Sequence, residues 1–131
     1  MLDTHILLWA IIADSKLPKE AIEIIMSKDN NVYYSTASIW EVTIKHTLHP
    51  DNMPLSGKEL SEFCGEAGYK MLSICDKHVY VLETLSRSEN APKHNDPFDR
   101  IMLAQAKAEG MIFVTHDSLI PYYNEKCVKL V

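Results

Sequence analysis

The chain has 131 residues, 47% hydrophobic and 24% charged, with a formal net charge of -5, a profile of one globular domain rather than a fibrous, repetitive or disordered protein. Its longest apolar run, Ile6 to Ala13, is far shorter than the ~20 residues of a membrane span and has no basic region before it. Three cysteines without CxxC spacing argue against a disulfide framework or a structural zinc site and point to a reducing cytoplasm, while the acidic balance counts against a broad basic surface for nucleic acid.

Met1 and Leu2 form a short first strand that leads into Asp3. "THILLWAIIAD" (4–14) is apolar enough for a buried helix, and "LPKEAIEIIMSKD" (17–29) gives a second with Pro18 at its start. "VYYS" (32–35) reads as a strand, and "TASIWEVTIKHTLH" (36–49) as a helix with a broad apolar face that Pro50 ends. "SGKELSEFCGEAG" (56–68) is a helix opened by Ser56 and closed near Gly68, followed by a strand at "YKMLSI" (69–74) and a helix at "CDKHVYVLETLS" (75–86). After a loop from Arg87 to Asn95 comes a helix to about Glu109, with Gly110 as its stop. The strand "MIFVT" (111–115), a short helix near "SLIPYYN" (118–124) and a last strand "CVKLV" (127–131) complete the chain. Short apolar strands alternating with helices predict an α/β fold of three layers, a parallel sheet of about five strands covered on both faces.

Ligands of such sheets collect beyond the carboxyl ends of the strands. Asp3 follows the first strand and Thr115 and Asp117 follow "MIFV", while Glu41 and Asp99 lie on the helices that begin beside the same crevice. Four carboxylates brought together, Asp3, Glu41, Asp99 and Asp117, are costly unless a cation joins them. Hard oxygen donors suit Mg²⁺ or Mn²⁺, and the six histidines show no zinc-binding spacing. An ion held there could activate water and offset charge on a phosphodiester, giving a cut nucleic-acid strand.

"LDTHILLW" (2–9), "SIWEVTIK" (38–45), "NDPFDRIMLAQA" (95–106) and "VTHD" (114–117), in this order over nearly the whole chain, resemble the PIN-domain ribonucleases, specifically the virulence-associated protein C (VapC) type of toxin in toxin-antitoxin pairs. The resemblance implies a single PIN domain over residues 1–131 and a metal-dependent endoribonuclease, with Asp3, Glu41, Asp99 and Asp117 as the acidic quartet that holds Mg²⁺ or Mn²⁺. It matches Thr115 to the polar residue beside the last acid and places Asp96 and Arg100 in the DPFDR signature as supporting residues. It also implies a small antitoxin, with a basic side chain reaching the acids and an apolar helix on the toxin surface, and a homodimer. Only Met1 and Leu2 precede Asp3, where family members usually have several strand residues, so either the first strand is stunted or the natural start lies upstream.

Plainer readings stand beside each assignment. Asp96 has the position of an N-cap before Pro97, with Asp99 near the positive end of the helix dipole. Ser38 and Glu41 have capping-box spacing, and Lys45 is placed to orient Glu41 or touch phosphate. Asp3 and Asp117 are each also placed to cap the helix after it. His94 and His116, beside the acids, could touch substrate or be solvated loop residues; Trp9 and Trp40 could stack on bases, although core burial is the commoner role. Arg87, Lys93 and Arg100 could flank an RNA path, Arg100 alternatively pairing with Asp96 or Asp99. Of 18 acids against 13 bases, four belong to the cation site, which leaves the rest near balance and favours recognition of single-stranded or shaped RNA. The competing functions are a non-catalytic RNA- or protein-binding domain and an aspartyl-phosphate phosphatase, which needs Asp3 as nucleophile and usually a second aspartate where this chain has His5.

Overall fold

The computed structural model describes residues 1–131. Its strands are short: β1 (Tyr33–Ser35), β2 (Lys70–Leu72), β3 (Phe113–Thr115) and β4 (Val128–Leu130). β1 and β2 pair in parallel with Tyr34 opposite Met71, and β3 and β4 pair in parallel with Val114 opposite Lys129.

The N-terminal segment 1–3 joins the two pairs. The Leu2 N–H donates to the Tyr33 carbonyl at 2.9 Å on one side; on the other, the Met1 carbonyl accepts from Val114 at 2.9 Å and the Asp3 N–H donates to the Val114 carbonyl at 3.0 Å. Leu2 and Val114 form a parallel bridge. The order across the molecule is therefore β2, β1, segment 1–3, β3, β4. Asp3 ends this segment by capping helix α1 (Thr4–Ile11) at once. The chain winds outward from this central segment through β1 to β2, then crosses to β3 and β4, so the switch point that gathers ligands in such sheets falls at Asp3.

Side chains alternate across the sheet with a period of two. Met1 and Phe113 enter a core with Ile101, Met102, Leu103 and Ile120, whereas Leu2, Val114 and Tyr34 enter another with Ile6, Leu7, Val42 and Leu60. The first core is roofed by α5 (Asp76–Leu82), α6 (Pro97–Glu109) and a 3₁₀ turn at Ile120–Tyr123; the second by α1, α2 (Lys19–Met26) and α4 (Gly57–Glu66). Helix α3 (Thr36–Leu48) serves both, Ala37 entering one core and Val42 the other. This is the expected three-layer architecture.

The helix boundaries follow local chemistry. Asp96 caps α6, Pro97 fits its first turn, and Gly110 ends it in the left-handed region at φ 64°. Ser56 and Glu59 close a full capping box on α4. For α3 one plainer reading is excluded and one expectation corrected. Its cap is Ser35, whose hydroxyl accepts the Ala37 N–H at 2.9 Å, and not Ser38, which has only the spacing of a capping box. Ser38 lies inside the helix, its hydroxyl in contact with Met102 Sδ at 3.2 Å and Thr4 Oγ1 at 3.1 Å. Trp40 is not core either: the buried side of α3 is Ala37, Ser38, Glu41 and Val42, so position 40 turns outward. It is 59% exposed, with its ring edge-on to Phe98 at 5.2 Å.

No helix is long and apolar enough to cross a membrane.

Candidate active site

Asp3, at the end of segment 1–3, is 2% exposed. One carboxylate oxygen accepts the Ile6 N–H at 2.7 Å, capping α1, and the other accepts the His116 N–H at 3.2 Å, tying the segment to the end of β3. Burial pushes its pKa up; the Thr115 hydroxyl and the two N–H groups pull it part of the way back.

Glu41 lies on the second turn of α3, only 5% exposed, because that turn faces inward. Its Oε1 meets Lys45 Nζ at 2.5 Å, one helical turn on. With the cap at Ser35, the Glu41 carboxylate has no capping duty and is free to serve the crevice.

Asp99 occupies the first turn of α6. Asp96 Oδ1 accepts the N–H groups of Phe98 at 2.8 Å and Asp99 at 3.3 Å, which leaves the Asp99 carboxyl to point past the helix end. Burial first, and then the charges of Asp96, Asp3, Glu41 and Asp117, together push its pKa up to about 7. A carboxyl held so high by acids from four elements marks the place where negative charge converges.

Asp117 follows β3. Its own N–H donates to Thr115 Oγ1 at 3.0 Å, and its Oδ1 accepts the Leu119 N–H at 2.7 Å. Oδ2 remains, 3.5 Å from His94 Nε2. Asp117 therefore closes a local turn through Oδ1 and is not the cap of the 3₁₀ turn, whose N-cap is Leu119, while its Oδ2 faces His94.

His94 was legible only as a neighbour of the acids. Its side chain is 4% exposed, with Nε2 3.3 Å from Asp99 Oδ2 and Nδ1 3.0 Å from the Tyr123 hydroxyl. Burial lowers its pKa, and Arg87 and Arg100 add to that against the pull of Asp117 and Asp96. Donor atoms of His94, Asp99 and Asp117 all lie within 4.8 Å of one another.

The basic residues differ from expectation. Arg100 makes no ion pair with Asp96 or Asp99; its charge bears on His94 and Tyr123 instead. Arg87 turns inward, its guanidinium 4.9 Å from the Tyr123 ring and Nη2 donating to the Leu119 carbonyl at 3.2 Å, so it supports the site's floor rather than flanking a path. Lys93 is exposed. Trp9 is half-buried beside His116, ring centroids 5.6 Å apart, and with His5, Asp99 and Asp117 these two line an open cleft of about 310 Å³. A larger apolar cavity of about 320 Å³ lies at the opposite, amino end of the strands, between residues such as Leu2, Tyr33 and Ile112, and has no carboxylate, histidine or cysteine in its wall.

Of the expected quartet, Asp99 and Asp117 come together with His94 at ligand distance; Asp3 and Glu41 lie near enough for their charges to raise Asp99 but are not in that group, and Lys45 is the only lysine or arginine paired with any of the four acids. Oxygen donors of this kind suit a hard divalent cation. A model of the PIN domain family matches residues 1–125. No curated protein matches the chain. Among solved structures, that of VapBC2 from Rickettsia felis bound to a DNA fragment from their promoter has a chain similar in fold, with a TM-score of 0.67 and 18% identity over 100% of this chain and 96% of that one.

Proposed function

The chain belongs to the PIN domain family, and from that membership and its site we propose that it is a Mg²⁺- or Mn²⁺-dependent endoribonuclease of the VapC type, the toxin of a toxin-antitoxin pair. The observation that carries the reading is Asp99, a carboxyl raised to about 7 by burial and by four neighbouring acids. Such an arrangement costs stability in an ion-free protein and is repaid when a cation binds.

Asp3, Glu41, Asp99 and Asp117 would hold the ion, which when bound supplies Lewis acidity toward a phosphodiester and acidifies water. The chain's own groups do the positioning. Asp96 orients Asp99 through its backbone N–H, Thr115 fixes the turn that carries Asp117, and Lys45 sets the Glu41 carboxylate and stands ready for a phosphate oxygen. Trp9, His5 and His116 give the cleft an aromatic wall on which an unpaired base can stack, in keeping with single-stranded RNA as substrate. Both oxygens of Asp3 accept backbone N–H groups, which favours a fixed ligand over the free nucleophile of an aspartyl-phosphate enzyme.

The partner would be a small antitoxin that sends a basic side chain into the acidic cleft. An apolar groove of about 350 Å³ between Trp40, Ile74, Val79, Leu82, Phe98 and Ile101 is open beside the start of α6 and suits an apolar helix. A homodimer in the cytoplasm completes the proposal.

The test is cleavage of total RNA and tRNA by purified protein in Mg²⁺, Mn²⁺ and EDTA, alongside Asp99→Asn. Discrete fragments that require metal and vanish in the variant are expected. Full cleavage by Asp99→Asn would overturn the site assignment; binding of RNA without any cut in either metal would make the domain a binding module.

A further inference from the structure

His94 is a buried imidazole set against two of the acids that line the cleft, Asp99 and Asp117. Its Nε2 stands 3.3 Å from Asp99 Oδ2 and 3.5 Å from Asp117 Oδ2. Both separations are long for a charge-assisted N–H···O bond, which runs to about 2.7–2.9 Å. The Asp99 contact is a long hydrogen bond when Nε2 carries the proton, and both spacings also match a shared ion: two donors each ~2.1 Å from one cation lie roughly 3.0 Å apart at a right angle and roughly 3.4 Å apart at a tetrahedral angle.

A partner for the other ring nitrogen is in place. Nδ1 lies 3.0 Å from the Tyr123 hydroxyl, and Tyr123 is itself buried, its ring edge-on to His94 at 5.7 Å. The Arg87 guanidinium lies over that tyrosine ring and is tied to the Leu119 carbonyl, so the tyrosine is held in place from behind. A proton on Nδ1 finds an acceptor in the Tyr123 oxygen, and that tautomer turns the Nε2 lone pair toward the two carboxylates, the arrangement typical of metal-ligating histidines. Three lone-pair donors then face one another within 4.8 Å, and a cation between them removes the conflict.

We propose that His94 is a metal ligand through Nε2, forming with Asp99 and Asp117 a mixed nitrogen-oxygen position that takes a borderline divalent ion such as Mn²⁺ in preference to Mg²⁺. The inference rests on the cation-binding reading of the cleft and adds a donor outside the acidic quartet. Asp3 and Glu41 offer oxygen alone, the donor Mg²⁺ prefers, whereas a buried imidazole beside Asp99 shifts selectivity toward ions that accept nitrogen.

The test uses the full chain stripped of metal and titrated with Mn²⁺ alone, then with Mg²⁺ alone. Calorimetry reads affinity, and pulsed electron paramagnetic resonance of bound Mn²⁺ reads coupling to ¹⁴N. Wild type is expected to show ¹⁴N coupling. His94→Gln is expected to lose that coupling and at least about 10-fold in Mn²⁺ affinity, with Mg²⁺ affinity changed by less than about 2-fold. Tyr123→Phe, which removes the partner of Nδ1 but not the ligand, is expected to keep the coupling with weakened affinity, so the result does not depend on one variant folding. Mn²⁺ bound without ¹⁴N coupling in wild type overturns the proposal and leaves the acidic cation site standing. Coupling that survives His94→Gln in a folded protein also overturns it and transfers the role to His5 or His116. No binding of either ion removes the cation-binding reading itself.

Discussion

The Asp96 carboxylate accepts the backbone N–H of Asp99 at 3.3 Å, so one acid of the DPFDR stretch fixes the direction of the other. Asp96→Ala is expected to cost about 1 kcal/mol of folding stability through the lost cap and to weaken Mg²⁺ binding by loosening Asp99. Asp96→Ser, which can still accept the N–H groups, is expected to recover most of both. Asp99→Asn should abolish Mg²⁺ binding while leaving the cap intact. Thermal midpoints and calorimetric Mg²⁺ titrations of the three variants check this; an Asp96→Ala protein that binds Mg²⁺ no better than Asp99→Asn would make Asp96 a ligand rather than a cap.

A second expectation concerns pH. The Asp99 carboxyl titrates near 7 in the folded metal-free protein against 3.8 for an ordinary aspartate, so folding takes up a proton between about pH 4 and 7. Its contribution is most favourable at the acid end of that window and is lost as pH rises through 7. Buried Asp3, also raised, acts in the same direction. Metal-free wild type should therefore lose stability between pH 5.5 and 7.5, and Asp99→Asn should flatten that slope. At pH 7.5 the variant should be more stable than wild type without metal, by about 1–2 kcal/mol after allowing for solvent at the rim. Added Mg²⁺ should reverse the ranking. Denaturant titrations at the two pH values, with EDTA and with Mg²⁺, give the comparison; an unchanged slope in the variant would count against Asp99 as the convergence point.

Lys45 neutralises Glu41 when no metal is present. Lys45→Ala strands a carboxylate of 5% exposure beside the other acids, and the ion-free protein should lose roughly 1–2 kcal/mol, less than for a fully buried pair because the lysine is half-exposed. The gain in thermal midpoint on adding Mg²⁺ should be larger in the variant than in wild type. A smaller gain would mean that Glu41 faces the lysine and not the ion.

Gly57 places α4 against α3. A Cβ there would lie 2.0 Å from Thr43 Oγ1 and 2.8 Å from the Ile39 carbonyl, and the hydroxyl cannot simply swing away because it donates to that same carbonyl at 2.7 Å. Gly57→Ala should cost about 1–3 kcal/mol by forcing the helices apart. Thr43→Ala in the same protein should restore part of the loss, since the carbonyl contact remains. Chemical denaturation of the single and double variants measures both terms.

Much of the proposed site was legible in the sequence, for a physical reason. Asp3, Asp99 and Asp117 sit at helix starts or strand ends, where short motifs declare themselves. The inward side of α3 was harder to read, because Ser38 satisfies the capping-box spacing while Ser35 makes the actual cap; the choice was made by packing of Ser38 on Met102 and Thr4, a contact between residues far apart in sequence. The same packing turned Trp40 outward. His94 was equivocal for a related reason: nothing in a loop of Pro, Lys and Asn reveals that Tyr123, nearly thirty residues on, closes over the ring. Strand order was also invisible, since hydrophobic runs of three residues do not name their neighbours.

Segment 1–3 sets early residues at the middle of the sheet, bonded to partners more than a hundred positions later: the Met1 amino group to the Ile112 carbonyl, and the Asp3 carboxylate to the His116 N–H. During synthesis, these residues must therefore wait for β3 to leave the ribosome before their pairing can close. Until then Asp3 and Asp117 have not met, and a growing chain carries no assembled cleft. Closure of the sheet and assembly of the cleft become one event, set by the emergence of β3.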